Sequence, residues 1–181
     1  DVYKRQILMI GIAVNKEENA KKIIAEAKLK QKQVTRKRTN KTVLLLEWID
    51  PYFTPGHWIP EQIEMAGFLS CIGNKGEKSI EITPKHIADL NPDFIGIICC
   101  GYNLEENKSF AEKIYLDERI NHIEAIQKQR VYAFDSNSYF SRPSLRVLDG
   151  VIQLSNAISD TNPKFHCKKS DFINNRKLFS C

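Results

Sequence analysis

The chain has 181 residues, 42% of them hydrophobic and 27% charged, a globular balance that excludes fibrous, collagenous and disordered classes. A chain of this length buries enough surface to hold a core without disulfides or a metal, and it contains no run of 18 or more apolar residues that would make a spanning helix. The net charge of +5 is local: residues 16–41 hold ten Lys/Arg against three Glu, a segment at +7 that leaves the rest near −2. A nucleic-acid reading would therefore rest on one helix and its following loop, and nucleic acid is not the expected partner.

In chain order, residues 1–6 (DVYKRQ) carry no initiator Met and no signal-peptide pattern. They resemble the translation of a transposase adapter, so they are expected to be a sequencing scar. Asn15 with Glu18 three residues on fits a helix cap, and Ala20, Ile23, Ile24 and Ala27 recur at helical spacing. This predicts an amphipathic helix over 16–33, its exposed face carrying Glu-before-Lys pairs four apart (Glu17/Lys21, Glu18/Lys22, Glu26/Lys30), followed by a polar loop over 35–42.

Residues 42–48 (TVLLLEW) read as a strand buried on both faces. A helix over 59–66 opens with Pro60 and closes at Gly67, and 79–82 is a short strand. Thr83 and Pro84 cap a helix that Asn91-Pro92 stops, and 94–99 (FIGIIC) is the second buried strand. Phe110, Ile114, Ile120, Ile123 and Ile126 suggest two helical pieces, 131–134 a third strand, and 145–158 a terminal helix. The order predicts a three-layer α/β/α lobe with a mostly parallel sheet, preceded by a long helix. From 159 onward the chain is polar and basic and is expected to be loosely ordered.

Ligands of open α/β sheets bind beyond the carboxyl ends of the strands, so three loops matter most. The first, 47–58, holds Trp48, Tyr52, Phe53 and Trp58 with two prolines and a glycine: either the wall of a site for a large flat ligand or a closure of the core. The second is Cys100-Gly101-Tyr102-Asn103. The third, 135–143, sets Tyr139 and Phe140 beside Arg142, which would clamp an anionic or amide group or else pair with Asp149 or Asp135. His57 is open to a base or metal-ligand role or to bonding within its loop, and Glu47 with Asp50 forms at most a lone carboxylate pair. No dinucleotide, Walker, nucleophile-elbow or zinc-protease motif occurs, and the five cysteines make no C-x-x-C or Cys/His zinc spacing. No catalytic residue and no metal ligand set is therefore named.

The runs VLLLEWIDPYFTPGHWIPEQIEMAG, ITPKHIADLNPDFIGIICCGYN and RVYAFDSNSYFSRPSLRVLDGVIQL resemble, in order and spacing, the carboxyl-terminal lobe of cobalamin-binding proteins of ABC transporters. These belong to the iron-siderophore and cobalamin periplasmic-binding superfamily, and the resemblance covers residues 7–158. It implies a two-lobed, non-enzymatic protein with a first lobe upstream, residues 7–41 as the connector helix and loop, and 42–158 as the second lobe. Cobalamin would be a bound ligand in the inter-lobe cleft, with Tyr52, Phe53, His57 and Trp58 on one side and Tyr139, Phe140 and Arg142 on the other. Glu61 or Glu64 would dock the transporter permease, and the location would be periplasmic or otherwise extracytoplasmic.

The chain departs from relatives at Ala66-Gly67-Phe68, often Ala-Gly-Gly, and at Ser144-Leu145, often Gly-Pro. The tail 159–181, with Cys167 and Cys181, has no counterpart in the family pattern. Rival readings are ferric siderophore or haem binding on the same fold, and a cytoplasmic corrinoid-handling or salvage enzyme suggested by the five thiols.

Overall fold

The computed structural model describes residues 2–34, 36, 38–159, 163–170 and 172. Helices α1 (Val2–Ala13) and α2 (Glu17–Val34) form a hairpin. The six residues set apart as foreign are continuous with α1, apart from Asp1, which lies outside the described residues. Asn15 closes α1 in a left-handed conformation (φ 55°) instead of opening α2, and the Lys16 amide reaches back to the Gly11 carbonyl at 2.7 Å. That is the usual way a helix satisfies its last carbonyls. The small residues Gly11 and Ala20 meet where the two helices touch, and α2 begins with Glu17 and Glu18, which suit the positive end of its dipole.

Strand β1 (Thr42–Leu46) has Val43 through Leu46 fully buried, so both of its faces need cover. It is followed by β2 (Trp48–Ile49), β3 (Tyr52–Phe53), α3 (Ile59–Met65), β4 (Leu69–Ser70) and β5 (Glu81–Ile82). Next comes α4 (Pro84–Leu90), capped by the Thr83 hydroxyl accepting from the His86 amide and ended by Asn91 in the left-handed region, as the sequence signals require. Then β6 (Phe94–Ile97), α5 (Leu104–Leu116), α6 (Glu124–Gln127), β7 (Val131–Ala133), α7 (Ser136–Tyr139) and α8 (Val147–Ser159) complete the chain order.

The main sheet has the order β4-β1-β6-β7, and every pairing is parallel. Alternation along the strands sends Leu44, Leu46, Ile95, Ile97, Val131 and Ala133 to one face. There they pack with Ile87 of α4, Ala111 and Ile114 of α5, and Ala125 and Ile126 of α6. Val43, Leu45, Tyr132 and Phe134 go to the other face, against Ile59 and Ile63 of α3 and Leu148, Val151 and Leu154 of α8. This is the expected α/β/α arrangement. Gly96 is small because a Cβ there would run into the Leu45 side chain and the Phe134 ring.

Two further features depart from the sequence expectation. The first loop is not irregular, because β2, β3 and β5 form a separate antiparallel sheet. The tail is not loose where it is described: the Ala133 amide donates to the Phe165 carbonyl (2.8 Å) and the Cys167 amide to the Val131 carbonyl (2.9 Å). Residues 163–170 thus lie along the outer edge of β7. Phe165 stacks on Phe134 with centroids 5.4 Å apart in one core, while Cys167 is buried in the other. Residues 160–162, 171 and 173–181, Cys181 among them, lie outside the described residues.

Because Phe165 is buried between strand and tail, Phe165→Ala is expected to cost about 3 kcal/mol. A fall in the thermal midpoint read by circular dichroism checks this, and an unchanged midpoint would mean the tail does not hold the sheet.

Candidate functional site

The main-sheet strands β1, β6 and β7 end at Leu46, Ile97 and Ala133, and the residues just beyond each meet in one cleft of about 760 Å³. Beyond β1 come Glu47, Trp48, Pro51, Phe53, Gly56, His57, Trp58 and Ile59; beyond β6, Ile98 and Cys100; beyond β7, Ser136, Phe140 and Ser141. Ser79 completes the lining. The surface is aromatic and aliphatic with scattered hydroxyls, and among the described residues that line it Glu47 is the one carboxylate and none is Lys or Arg.

Backbone bonding fixes the first loop. The Glu47 amide donates to the Phe53 carbonyl (3.1 Å), and the Glu47 carbonyl accepts from the Cys100 amide (3.2 Å). Glu47 Oε1 accepts from the Gly56 amide at 2.8 Å. Gly56 must be glycine, since a Cβ would clash with the Ser79 backbone nitrogen. Thr54, fully buried, exchanges two bonds with Ile80, its amide donating to the Ile80 carbonyl and its hydroxyl accepting from the Ile80 amide. His57 takes a left-handed conformation (φ 55°), held by its amide donating to the Glu77 carbonyl and its carbonyl accepting from the Gly76 amide.

The second and third loops are tied by Asn107 of α5, which is wholly buried. Its Oδ1 accepts from the Cys99 amide (2.9 Å), and its Nδ2 donates to the Phe134 carbonyl (2.8 Å) and the Tyr102 carbonyl (3.2 Å). Asn103 and Glu106 form a reciprocal capping box that sets the start of α5 and so the position of Asn107 one turn on. Across the site, the Ser136 hydroxyl donates to the Ile98 carbonyl and meets the Ser141 hydroxyl at 2.6 Å. Trp58 Nε1 donates to the Phe140 carbonyl at 2.9 Å, which joins the first loop to the third.

Of the residues singled out from sequence, Phe53, His57, Trp58 and Phe140 come together in the cleft. Tyr52 does not, because β-strand alternation turns it into the core, where its hydroxyl donates to Asp117 Oδ2 at 2.7 Å. Tyr139 packs against the α3/α8 core, and its carbonyl accepts from the Gln62 side chain. Arg142 is exposed and donates from Nε to Asn137 Oδ1 (3.0 Å), not to the aspartates considered from sequence. Asp149 pairs with Lys30 of α2 at 2.6 Å, and Asp135 caps α7. Glu61 is exposed on α3, and Glu64 pairs with Lys75 at 2.7 Å.

Sequence reasoning missed the anchoring role of Glu47, the Ser136/Ser141 pair and Asn107. For Asn107, the N-x-x-E spacing of Asn103 and Glu106 was the available signal. Among the thiols, Cys100 is exposed at the cleft, whereas burial pushes Cys71 up to about 11 and Cys99 up to about 12.

A parallel α/β/α lobe with an apolar, preformed cleft beyond its strand ends is the architecture of a small-ligand binding protein. The chain belongs to the periplasmic binding protein family, which matches residues 1–138. Among solved structures it is similar to an ABC transporter substrate-binding protein from Listeria monocytogenes EGD-e, at TM-score 0.77 and 22% identity over 87% of this chain and 64% of that one. It is also similar to the periplasmic haem-binding protein RhuT from Roseiflexus sp. RS-1 (TM-score 0.71, 16% identity, 87% and 62%). A third is an ABC-type Fe3+-hydroxamate transport system from Saccharomonospora viridis DSM 43017 (0.63, 18%, 84% and 54%). The chain thus spans less than two thirds of each of these proteins. No curated protein matches it. Among the described residues no helix is long and apolar enough to cross a membrane, and no group of three or more His, Cys, Asp or Glu is arranged to hold a metal ion.

Removing the Asn107 amide leaves the Cys99 N–H and the Phe134 carbonyl without their partner, while the Tyr102 carbonyl keeps the Asn137 amide, so Asn107→Ala is expected to cost about 3 kcal/mol. The thermal midpoint should fall by roughly 6–12 °C, and loop amides from 99 to 103 should exchange faster with solvent. A second expectation concerns acid. The Arg119 guanidinium holds the Asp117 carboxyl below its ordinary value, burial opposes this, and the Tyr52 hydroxyl adds to it. A depressed folded value makes the contribution complete above the unfolded carboxyl near about 3.9, and it is lost as pH falls below that toward the folded value. Asp117→Asn should therefore flatten the acid limb of a stability-against-pH curve, and parallel limbs would show the pair to be inert.

Proposed function

We propose that this chain is the ligand-binding lobe of a substrate-binding protein of an ABC uptake system, and that the ligand held against its cleft is a cobalamin or related corrinoid. The observation that carries the reading is the lining: aromatic side chains at the strand ends, hydroxyls for orientation, and no Lys or Arg among the described lining residues. A broad ring system decorated with neutral amides suits such a wall, because flat apolar contact supplies the affinity and scattered hydroxyls and backbone groups supply the orientation. On this reading Trp58 and Phe53 contact the macrocycle and His57 sits at its edge, with Phe140 forming the floor. The remainder of such a protein supplies the facing wall. Glu61, exposed on α3, is the permease-docking residue, with Glu64 beside it already paired to Lys75. Work with a permease places the protein outside the cytoplasm.

A second reading, haem or a ferric siderophore, is favoured by the described ligands of the structural neighbours. Against it, the propionates of haem would meet Glu47 in the cleft, and Arg142 stands outside the lining on Asn137.

Titration of the protein with cyanocobalamin and with haemin, followed in the visible spectrum, separates the two. A shift with cobalamin that Trp58→Ala or Phe53→Ala weakens about tenfold is expected, the worth of one well-packed ring. A shift with haemin alone would overturn the corrinoid assignment.

A further inference from the structure

We infer that Glu47 sets the chemical class of the ligand, admitting a macrocycle whose periphery donates neutral N–H groups and excluding one that carries carboxylates; the inference rests on reading this cleft as the ligand wall. Glu47 stands immediately after the central strand β1, where the three loops converge. Its backbone is pinned on both sides, to Phe53 within its own loop and to Cys100 in the next, and its side chain is held by the Gly56 amide at 2.8 Å. Oε1 is occupied by the Gly56 amide, and Oε2 has no protein partner among the described residues. The residue is half-buried, and the rings and aliphatic chains of Trp48, Phe53, Trp58 and Ile98 line the same cleft.

A carboxylate held rigidly in apolar surroundings has two consequences. It is a strong acceptor for an N–H donor brought within reach, because charge-assisted bonds are shorter and stronger than neutral ones. It also repels a second carboxylate, and the low local polarity that strengthens the first effect strengthens the second. Counter-charges do not cancel it. No Lys or Arg lies among the described lining residues, and Arg142 is bound to Asn137 outside the lining. Exclusion of the wrong partner by like charge is a recognised source of specificity. Primary amides, which donate and carry no charge, are the groups this geometry accepts.

Two pairs of ligands with the same ring and different peripheries test it: cobinamide against the corrinoid whose amides are hydrolysed to carboxylates, and haemin dimethyl ester against haemin. Wild type is expected to prefer the uncharged member of the pair it binds by at least about tenfold. Glu47→Gln, which keeps a carbonyl acceptor for the Gly56 amide, should reduce the preference to within about threefold by weakening the uncharged member less than it strengthens the charged one. Glu47→Asp, which keeps the charge, should retain the preference. Equal binding of charged and uncharged members by wild type, or a preference unchanged in Glu47→Gln, overturns the role of Glu47 and leaves the corrinoid reading standing. Binding of the haem pair without the corrinoid pair overturns the corrinoid reading, and Glu47 is then judged on the haem pair. Failure of wild type to bind any of the four overturns both.

Discussion

The side-chain amide of Asn107 is the constraint on which the ligand side of this lobe depends. One buried group answers the Cys99 amide and the Phe134 carbonyl at the ends of β6 and β7, adds a second bond to the Tyr102 carbonyl, and does so from a third element, α5. Backbone groups buried without partners are costly, so the turns after both strands are held to one arrangement. The positions of Cys100 and Ser136 in the cleft follow from it. The capping box of α5 lies one turn before Asn107, so a local helix-start signal determines the geometry of a site built from other elements.

The first loop reaches the same rigidity by a different route. Trp48, Tyr52 and Phe53 do not stand on a free loop, because β2, β3 and β5 place them on a small antiparallel sheet, with Thr54 and Gly56 packed against 79 and 80, and Trp58 stands at the start of α3. A wall built this way is ready before any ligand arrives, which lowers the ordering cost of binding. The Trp58–Phe140 hydrogen bond then joins this wall to the third loop, so the cleft behaves as one body.

Much of the architecture was legible in the sequence because the relevant signals are local. TVLLL and FIGI read as strands buried on both faces, Thr83-Pro84 as a helix start and Asn91 as its end, and each reading follows from chemistry within a few residues. The ligand side was legible as a region, through the rule about strand ends, but not residue by residue. Tyr52 and Phe53 are adjacent aromatics that a sequence reader treats alike, yet strand alternation sends one to the core and the other to the cleft. Register of a two-residue strand cannot be read from two residues. Arg142 is a cation with two aspartates in reach of the sequence reading, and its partner Asn137 lies five positions away in the short helix α7, whose placement only the fold defines. Glu47 looked like half of a weak acid pair because its partner is a backbone amide, which every residue has and which no pattern marks.

The segment along β7 has a consequence for how the lobe folds. β7 is the outermost strand of the main sheet on its side, and the groups on its free edge are answered by residues 163–170, which place Phe165 in one core and Cys167 in the other. Until those residues dock, the folding lobe presents an open strand edge and two incompletely filled cores. Such an edge is a template for pairing with another chain. The interval before residues 163–170 dock is therefore the one in which the lobe is largely assembled but still adhesive, and chaperone engagement should concentrate there.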